Sequence, residues 1–356
     1  MDFPQPAVYP SVVVVNITTA CNLRCKYCFA DCEPSQQRED MTEDVMLAII
    51  REMLVLPESE IITFEFQGGE PTLNIVGIER FISIAEQLKT SSNKTVKYRI
   101  ESNGTVITDE LITLLKKYNM EIGISIDGPM DMTNNARVYE DGTGAFTDIE
   151  NGIKKLHENG IKVAGSVCTI GKHNASEPIK IVDFFNQIDI GFKPRPANIF
   201  GREIVSNTTT KPGEWANVFK TMYRPSKQGN VENFSIHIFE ENVYTPIRDY
   251  ICLRYPCGAA REIISVNPDG TVYPCDGFKG AESFSMGNIL NEPIAKMLEK
   301  IGLLKCVIVH GNISQNVASV YSAECVALVV ILLTVPMVLF GRKTLIVSIV
   351  KEFSFS

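Results

Sequence analysis

The sequence has little of three things that mark other classes of protein: histidine, an excess of basic charge, and long apolar runs. Its four histidines have no ligand spacing, so they predict no zinc site. The 34 basic side chains are outnumbered by 42 acidic ones, which excludes the basic surface that nucleic acid requires. The apolar run 326–340 contains Pro336 and is shorter than the roughly 17–25 residues of a membrane span. The sequence therefore predicts neither a nucleic-acid partner nor a membrane-spanning segment.

The N-terminal residues also lack a secretory signal. They contain neither a basic stretch nor a long apolar stretch, and such a signal needs both. We therefore predict a cytoplasmic protein. In a reducing cytoplasm the ten cysteines are expected to be metal ligands or free thiols rather than disulfides.

The first half of the chain alternates between strand-like and helix-like segments. Val12–Ile17 is a continuous β-branched run, which is typical of a buried parallel strand. Successive βα units predict an α/β fold with parallel strands and outer helices. In such folds the loops after the strands carry the chemistry. The predicted strands are 12–17, 61–67, 96–101, 121–125, 162–169 and 190–193.

A smaller unit follows the region of βα units. Two strand-like pieces, 263–266 and 271–273, flank Asn267-Pro268-Asp269-Gly270, a strong signal for a hairpin turn. The sequence therefore predicts five segments. They are an N-terminal tail (1–10), a core (11–195), a bridging region (196–250), a hairpin unit (251–300) and an apolar tail (301–356).

The densest cysteine cluster lies just after the first predicted strand. Cys21, Cys25 and Cys28 have the spacing C-x3-C-x-Tyr-C, and three thiolates so placed can bind three irons of a cubane cluster. Three ligands leave the fourth iron open to another molecule. A structural zinc site needs four ligands, usually in two C-x2-C pairs. The spacing therefore favours an iron–sulfur cluster over zinc, with buried structural cysteines as the alternative.

This motif resembles the signature of the radical S-adenosylmethionine (SAM) superfamily, and the resemblance covers about residues 11–300. It implies a partial (β/α)6 TIM-like barrel and two cofactors, a 4Fe–4S cluster and S-adenosyl-L-methionine. In that family an electron from a flavodoxin- or ferredoxin-like donor cleaves SAM at the cluster, and the resulting 5′-deoxyadenosyl radical abstracts a hydrogen atom from the substrate. Cofactors of this kind carry the chemistry, while the protein positions them and excludes water.

Three further motifs follow later strands. Gln67–Thr72 contains two glycines that let the backbone approach a ligand closely, and a carboxylate that can pair with an ammonium group; it resembles the GGE motif, which contacts the amino group of SAM. Glu101–Thr105 and Ser125–Pro129 place short polar side chains at strand ends. Ordinary turns and a surface arginine are the alternative interpretation. The resemblance implies these cofactor-binding residues: Gly68, Gly69, Glu70, Ser102, Asn103, Ser125, Asp127 and Arg137.

A second group of cysteines, Cys252, Cys257 and Cys275, frames the predicted hairpin. The stretch from Cys257 to Phe278 resembles the SPASM extension of radical SAM enzymes that modify peptides and proteins, such as anaerobic sulfatase maturases and ribosomal-peptide maturases. The resemblance implies that these cysteines bind an auxiliary 4Fe–4S cluster. It also implies that Asp276 is the catalytic base that deprotonates the oxidised side chain. Three structural thiols and a hairpin aspartate are the alternatives.

The C-terminal segment departs from the SPASM pattern. After Cys275 only Cys306 and Cys325 remain, and neither belongs to the C-x2-C-x5-C group that SPASM domains carry. From about Ile301 the chain becomes rich in Val and Ile without core periodicity. We therefore expect a frameshifted reading of a SPASM tail, which the coding DNA near Lys300 would test.

Together these features predict a radical SAM oxidoreductase that modifies a peptide or protein side chain. Two alternatives remain at this point. One is a radical SAM enzyme that acts on a small molecule. The other is a truncated or frameshifted chain that binds a cluster without turning over a natural substrate.

Overall fold

The computed structural model describes residues 9–30, 32, 34, 37–57, 60–197, 201–227 and 258–299. The strands are β1 (Val12–Thr18), β2 (Ile61–Gly68), β3 (Thr95–Ser102), β4 (Glu121–Ser125), β5 (Val163–Ile170), β6 (Phe192–Pro196), β7 (Ile263–Val266), β8 (Thr271–Tyr273) and β9 (Gly287–Asn288). They form one sheet in the order β6-β5-β4-β3-β2-β1-β7-β8-β9. In that order, all neighbouring strands from β6 through β1 to β7 are parallel. Strand β8 is antiparallel to both β7 and β9. The predicted α/β fold with a parallel sheet is confirmed.

The helices connect the parallel strands. They are α1 (Glu43–Val55), α2 (Ile75–Lys89), α3 (Asp109–Tyr118), α4 (Met130–Ala136), α5 (Phe146–Glu158), α6 (Pro178–Gln187), α7 (Glu203–Ser206) and α8 (Pro212–Lys227). Thr108 caps α3 by accepting a hydrogen bond from the Leu111 backbone amide, and Asp109 and Glu110 lie in the first turn, where the helix dipole favours acids. The sequence did not predict α4 or α8, which lie in stretches assigned to a loop and to the bridging region.

Strand β1 lies inside the sheet with a strand on each side, and its valines Val13, Val14 and Val15 are fully buried. Its residue Val12 is paired with Thr63 of β2 and with Ile263 of β7. The predicted hairpin is present as β7 and β8. It does not stand apart from the βα region, since β7 continues the parallel sheet beyond β1.

The core between the sheet and its helices is packed with aromatic and branched side chains. Phe64 and Phe66 of β2 are fully buried, and both contact Phe81 of α2 edge to face, with ring centroids 5.0 and 5.3 Å apart. Truncating such a buried phenylalanine costs about 3–5 kcal/mol. This packing holds the strands rigidly, so the loops at their carboxyl ends have a fixed platform.

Several predictions fall outside the described residues. They concern Cys252, Cys257, much of the bridging region and the whole segment 301–356, including the proposed frameshift. Within the described residues, no helix is both long enough and apolar enough to cross a membrane.

Candidate active site at the carboxyl ends of the strands

A cavity of about 190 Å³ opens at the carboxyl ends of the parallel strands. The three cysteines of the C-x3-C-x-Tyr-C motif lie on its wall together with residues from the ends of β2 to β6 and from the turn after β8. Of the predicted site residues, the wall includes Cys21, Cys25, Cys28, Gly68, Gly69, Glu70, Ser102, Asn103, Ser125, Arg137 and Asp276. Residues as far apart in the chain as Cys21 and Asp276 therefore line one cavity.

The glycines of the second motif are required by the backbone of the cysteine loop. A Cβ on Gly68 would collide with the backbone oxygen of Thr18, and a Cβ on Gly69 would collide with that of Ala20. The amides of Gly69 and Glu70 donate to those same two oxygens at 2.8 and 2.7 Å. The sequence led us to expect that the missing side chains admit a ligand. The structure shows that they also allow a close approach between two protein loops, and both glycines line the cavity, so a contact with a ligand stays a prediction.

The cysteine loop is also held from its other side. The amides of Arg24 and Lys26 donate to the carbonyls of Val138 and Ala136 at 2.6 and 2.9 Å. The amide of Arg202 donates to the Cys28 carbonyl at 2.9 Å. Arg202 belongs to the region predicted as a bridge, and no sequence signal identified it. The loop that carries the three thiols is therefore fixed by backbone hydrogen bonds on several sides.

Glu70 joins the ends of β2 and β3. Its carboxylate Oε1 accepts hydrogen bonds from the Thr72 amide and hydroxyl and from the Ser102 hydroxyl, at 3.1, 2.7 and 2.8 Å. Oε2 accepts from the Asn103 amide at 2.7 Å. Burial raises the pKa of Glu70, and these hydrogen bonds oppose the rise. In the described residues Oε2 accepts one bond only, which leaves it an acceptor position for a ligand.

Asn103 links the loop after β3 to the cysteine loop. Its amide nitrogen Nδ2 donates to Asn22 Oδ1 at 2.9 Å and lies 4.0 Å from the Cys21 sulfur. The Asn22 amide in turn donates to the Thr105 hydroxyl at 2.8 Å. These amides keep Cys21 beside the end of β3.

Asp127 and Arg137 pair with each other. Arg137 donates through Nε and Nη2 to the two carboxylate oxygens at 3.1 and 3.2 Å, and Tyr27 donates its hydroxyl to Oδ2 at 2.5 Å. Asp127 is fully buried; burial would raise its pKa, but Arg137 and its other partners lower it to about 2. Arg137 lines the cavity, whereas Asp127 lies behind the wall. Arg137 is thus not the surface residue of the alternative interpretation.

His173 belongs to the same buried cluster, although the sequence assigned it no role. Its ring stacks on Tyr27 with centroids 5.5 Å apart, and its Nε2 lies 3.6 Å from Asp127 Oδ2. Among the described residues neither ring nitrogen has a hydrogen-bond partner. No spacing rule could have found this residue, because it comes from the turn after β5 and meets the motif only in the fold.

The environments of the three motif cysteines differ. Burial raises the pKa of Cys21 to about 12 and that of Cys25 well above its ordinary value. A contact with the Cys32 sulfur, 3.9 Å away, lowers the pKa of Cys28 to about 5, and the cations of Arg202 and Lys279 add to this. Cys28 is therefore the thiol whose surroundings most favour the ionised, metal-binding form.

The C-terminal hairpin contributes two charged residues to the cavity. Asp276 is buried, and its Oδ2 lies 3.5 Å from Nη1 of Arg195, which comes from the end of β6. Lys279 is also buried, and its Nζ donates to Asn16 Oδ1 at 3.1 Å and to the Gly68 carbonyl at 2.7 Å. Sequence analysis identified Asp276 but neither Arg195 nor Lys279.

The donor set fits a multi-iron cluster. Among the described residues no three Cys, His, Asp or Glu side chains converge as ligands of a single metal ion. Three thiols nevertheless line one cavity, and the irons of a cubane cluster each take a separate cysteine. The cavity therefore suits a cluster better than a mononuclear site.

Two family models match the chain. The radical SAM superfamily matches residues 15–185, and SPASM, an iron-sulfur cluster-binding domain, matches residues 257–315. The second match reaches into the segment that the sequence predicts to be atypical. A radical SAM domain implies a 4Fe–4S cluster and SAM, and a SPASM domain implies auxiliary iron–sulfur clusters.

Curated relatives include anaerobic sulfatase-maturating enzymes. The serine-type enzyme of Bacteroides thetaiotaomicron is 25% identical over 311 residues, which is 81% of this chain and 74% of that protein. The cysteine-type enzyme of Clostridium perfringens is 25% identical over 304 residues, 81% of this chain and 80% of that protein. The cysteine-type enzyme of Clostridium novyi is 35% identical over 190 residues, 51% of this chain and 49% of that protein.

Solved structures agree with the fold. The structure described as native anSMEcpe with bound AdoMet covers 81% of this chain and 80% of its own, with a TM-score of 0.68 and 21% identity. Streptococcus suis SuiB bound to its precursor peptide SuiA covers 82% of this chain and 65% of its own, with a TM-score of 0.58 and 19% identity. The predicted partial barrel is thereby confirmed. This chain is an enzyme with a radical SAM domain at residues 15–185 and a match to the SPASM domain at residues 257–315.

Proposed function

We propose that this enzyme oxidises a serine or cysteine side chain of a peptide or protein by hydrogen abstraction. The observation that carries the proposal is that the C-x3-C-x-Tyr-C thiols, the glycine motif and Asp276 of the C-terminal hairpin line one cavity. When bound, the cluster and SAM supply electron transfer and a hydrogen-abstracting radical. The protein residues bind and position these groups and receive the substrate.

Cys21, Cys25 and Cys28 are the proposed ligands of the 4Fe–4S cluster. They lie on a loop that is docked on the strand ends by backbone hydrogen bonds. Such bonds do not depend on the thiols, so removing a sulfur should leave the loop in place. Cys257 and Cys275 lie within the SPASM match and Cys252 lies just before it, and these three are the proposed ligands of an auxiliary cluster. Cys275 is buried.

The proposed SAM contacts are the residues at the ends of β2 to β4. Oε2 of Glu70 has an acceptor position left for the SAM ammonium group, and Arg137 faces the cavity with a guanidinium suited to its carboxylate. Ser102 and Asn103 orient Glu70, and Ser125 lines the wall. In this arrangement Asp127 acts through Arg137, which it holds in place.

Asp276 is the proposed base. Its carboxylate lies on the cavity wall beside Arg195. After a hydrogen atom leaves the substrate side chain for the 5′-deoxyadenosyl radical, the substrate radical must lose an electron, which the proposed auxiliary cluster would take, and a proton. A positioned carboxylate screened from water can accept it.

The substrate class is proposed from the curated relatives. Sulfatase-maturating enzymes of the serine and cysteine types cover most of this chain, so a sulfatase segment with either residue is the substrate of first choice. The remaining parts of the proposal are a flavodoxin- or ferredoxin-like electron donor and a cytoplasmic location.

The test is anaerobic reconstitution with iron and sulfide, followed by assay for 5′-deoxyadenosine. We expect Cys25→Ala to abolish SAM cleavage and to lower the iron content. Cys168→Ala is the matched control, because Cys168 is a buried cysteine of β5 that does not line the cavity. Mass spectrometry of serine- and cysteine-containing sulfatase peptides then tests the substrate class. A variant lacking all three motif cysteines that still cleaved SAM would refute the proposal.

A further inference from the structure

Lys279 is a buried cation that projects from the C-terminal hairpin unit onto the cysteine loop. It ends the short 3-10 helix Asp276–Phe278. Its side chain passes between β1 and the glycine motif, where Nζ donates to Asn16 and to the Gly68 carbonyl. The same Nζ lies 5.4 Å from the ring centroid of Phe29, the residue next to Cys28. A single ammonium group therefore touches three parts of the SAM-binding core.

The ammonium group lacks a counter-charge among the described residues. Its hydrogen-bond acceptors are the neutral oxygens of Asn16 and Gly68, and no described carboxylate lies within salt-bridge distance. Lysine is rarely buried unless it is paired, since burying an unpaired charge is costly. Because Lys279 also lines the cavity, its counter-charge is expected to be a bound anion.

We propose that Lys279 is the electrostatic partner of the cluster held by Cys21, Cys25 and Cys28, and that it makes that cluster easier to reduce. The inference rests on the proposed function, because it needs the cluster to bind there. Three thiolates give such a cluster a net negative charge, and a further electron makes the charge more negative. A cation in a poorly solvated site stabilises the reduced form more than the oxidised form.

Two anions could pair with Lys279, the cluster and the carboxylate of SAM. The position of Lys279 favours the cluster. Lys279 borders the Cys28 side of the cavity through Phe29 and Gly68. The groups proposed to hold SAM, Glu70 and Asn103, lie on the Cys21 side. Arg137 already supplies a cation for the SAM carboxylate. The lysine therefore faces the cluster rather than the amino-acid end of SAM.

The experiment is a redox titration of the reconstituted enzyme, followed by electron paramagnetic resonance of the reduced cluster in the absence of SAM. Lys279→Met keeps most of the side-chain volume and removes the charge. Lys279→Arg keeps the charge. Lys296→Met is the matched control, because it removes an equal charge from an exposed position away from the cavity. The variants are also made without Cys252, Cys257 and Cys275, so that the signal comes from one cluster.

For Lys279→Met we expect at least a tenfold fall in the ratio of reduced to oxidised cluster at a fixed potential, which is about 59 mV for a one-electron couple. Lys279→Arg should recover most of this ratio, and Lys296→Met should not change it. An unchanged ratio in Lys279→Met with normal iron content would overturn the inference. So would a selective loss of SAM affinity, which would assign Lys279 to SAM. Failure of the parent protein to bind a cluster would instead refute the proposed function.

If Lys279→Met proved too unstable to load, Lys279→Gln provides a second neutral variant that retains a donor for the Gly68 carbonyl. Circular dichroism of the apo proteins checks that both variants fold. If Lys279 had only a structural role, its substitution would change the unfolding curve of the apo protein without changing the reduction potential of the loaded cluster. That result would also overturn the inference.

Discussion

Asp127 and Arg137 form a two-point ion pair at the wall of the candidate active site, with Nε–Oδ2 and Nη2–Oδ1 distances of 3.1 and 3.2 Å. Both residues are buried. Breaking a buried pair leaves an uncompensated charge, whereas breaking an exposed pair costs little. Asp127→Asn should therefore lower the free energy of unfolding of the apo protein by about 3 kcal/mol, as measured by urea denaturation.

Asp131→Asn is the control for this change. Asp131 pairs with Lys180 at 2.6 Å on the surface of the same region, so its loss should cost less than about 1 kcal/mol. Equal losses in the two variants would mean that the buried Asp127–Arg137 pair contributes no more to stability than an exposed pair.

Gly69→Ala tests the docking of the glycine motif on the cysteine loop. The new methyl group would collide with the Ala20 backbone oxygen, and the loops must separate to admit it. We expect a loss of about 1–3 kcal/mol together with reduced iron uptake on reconstitution. Gly213→Ala is the control, because a Cβ there meets nothing within 4 Å. Normal iron content in Gly69→Ala would show that iron uptake does not depend on the contact between the glycine motif and the cysteine loop.

Glu101→Gln should change how stability depends on pH. Burial, reinforced by Glu65, raises the pKa of Glu101 to about 8 from an ordinary 4.5. Between these values the folded protein keeps a proton that the unfolded chain has released. Stability should therefore fall as the pH rises through this range, by up to about 1.4 kcal/mol per pH unit.

The glutamine variant removes this titration, so its free energy of unfolding should fall less than that of the parent between pH 5 and 8. Urea denaturation of the apo protein across this range measures the difference. Glu150→Gln, at an exposed helix position, should leave the pH dependence unchanged. Parallel curves for the parent and Glu101→Gln would show that Glu101 does not titrate in this window.

Asp276→Asn separates the chemistry of the substrate from the cleavage of SAM. If Asp276 is the base, product formation from a sulfatase peptide should fall by about 10²–10⁴-fold, while 5′-deoxyadenosine formed without peptide should change little. The two rates are measured in the same reconstituted sample by chromatography and mass spectrometry. An equal loss of both rates would indicate that the carboxylate holds the hairpin in place through Arg195.

The alternation of strands and helices could be predicted from the sequence because it depends on local patterns. The β-branched run of β1 and the turn at Asn267-Pro268-Asp269-Gly270 identified β1, β7 and β8 within about a residue. The strand β6 was expected at 190–193 and is Phe192–Pro196, since prolines weaken the propensity signal at its end. The short helix α4 was missed because its apolar residues are too few for a periodicity to emerge.

The spacing of the cysteines favoured iron–sulfur chemistry from the sequence alone, since three thiols within eight residues must share one loop and can meet at one cluster. The sequence also placed the glycine motif and the short polar residues at strand ends. Tertiary structure alone decided that β7 extends the sheet beside β1, that Arg137 is paired with Asp127, and that Lys279 reaches Asn16, 263 residues earlier in the chain. Such contacts depend on how distant segments pack, and no local pattern encodes the burial and charge that the finished fold creates around them.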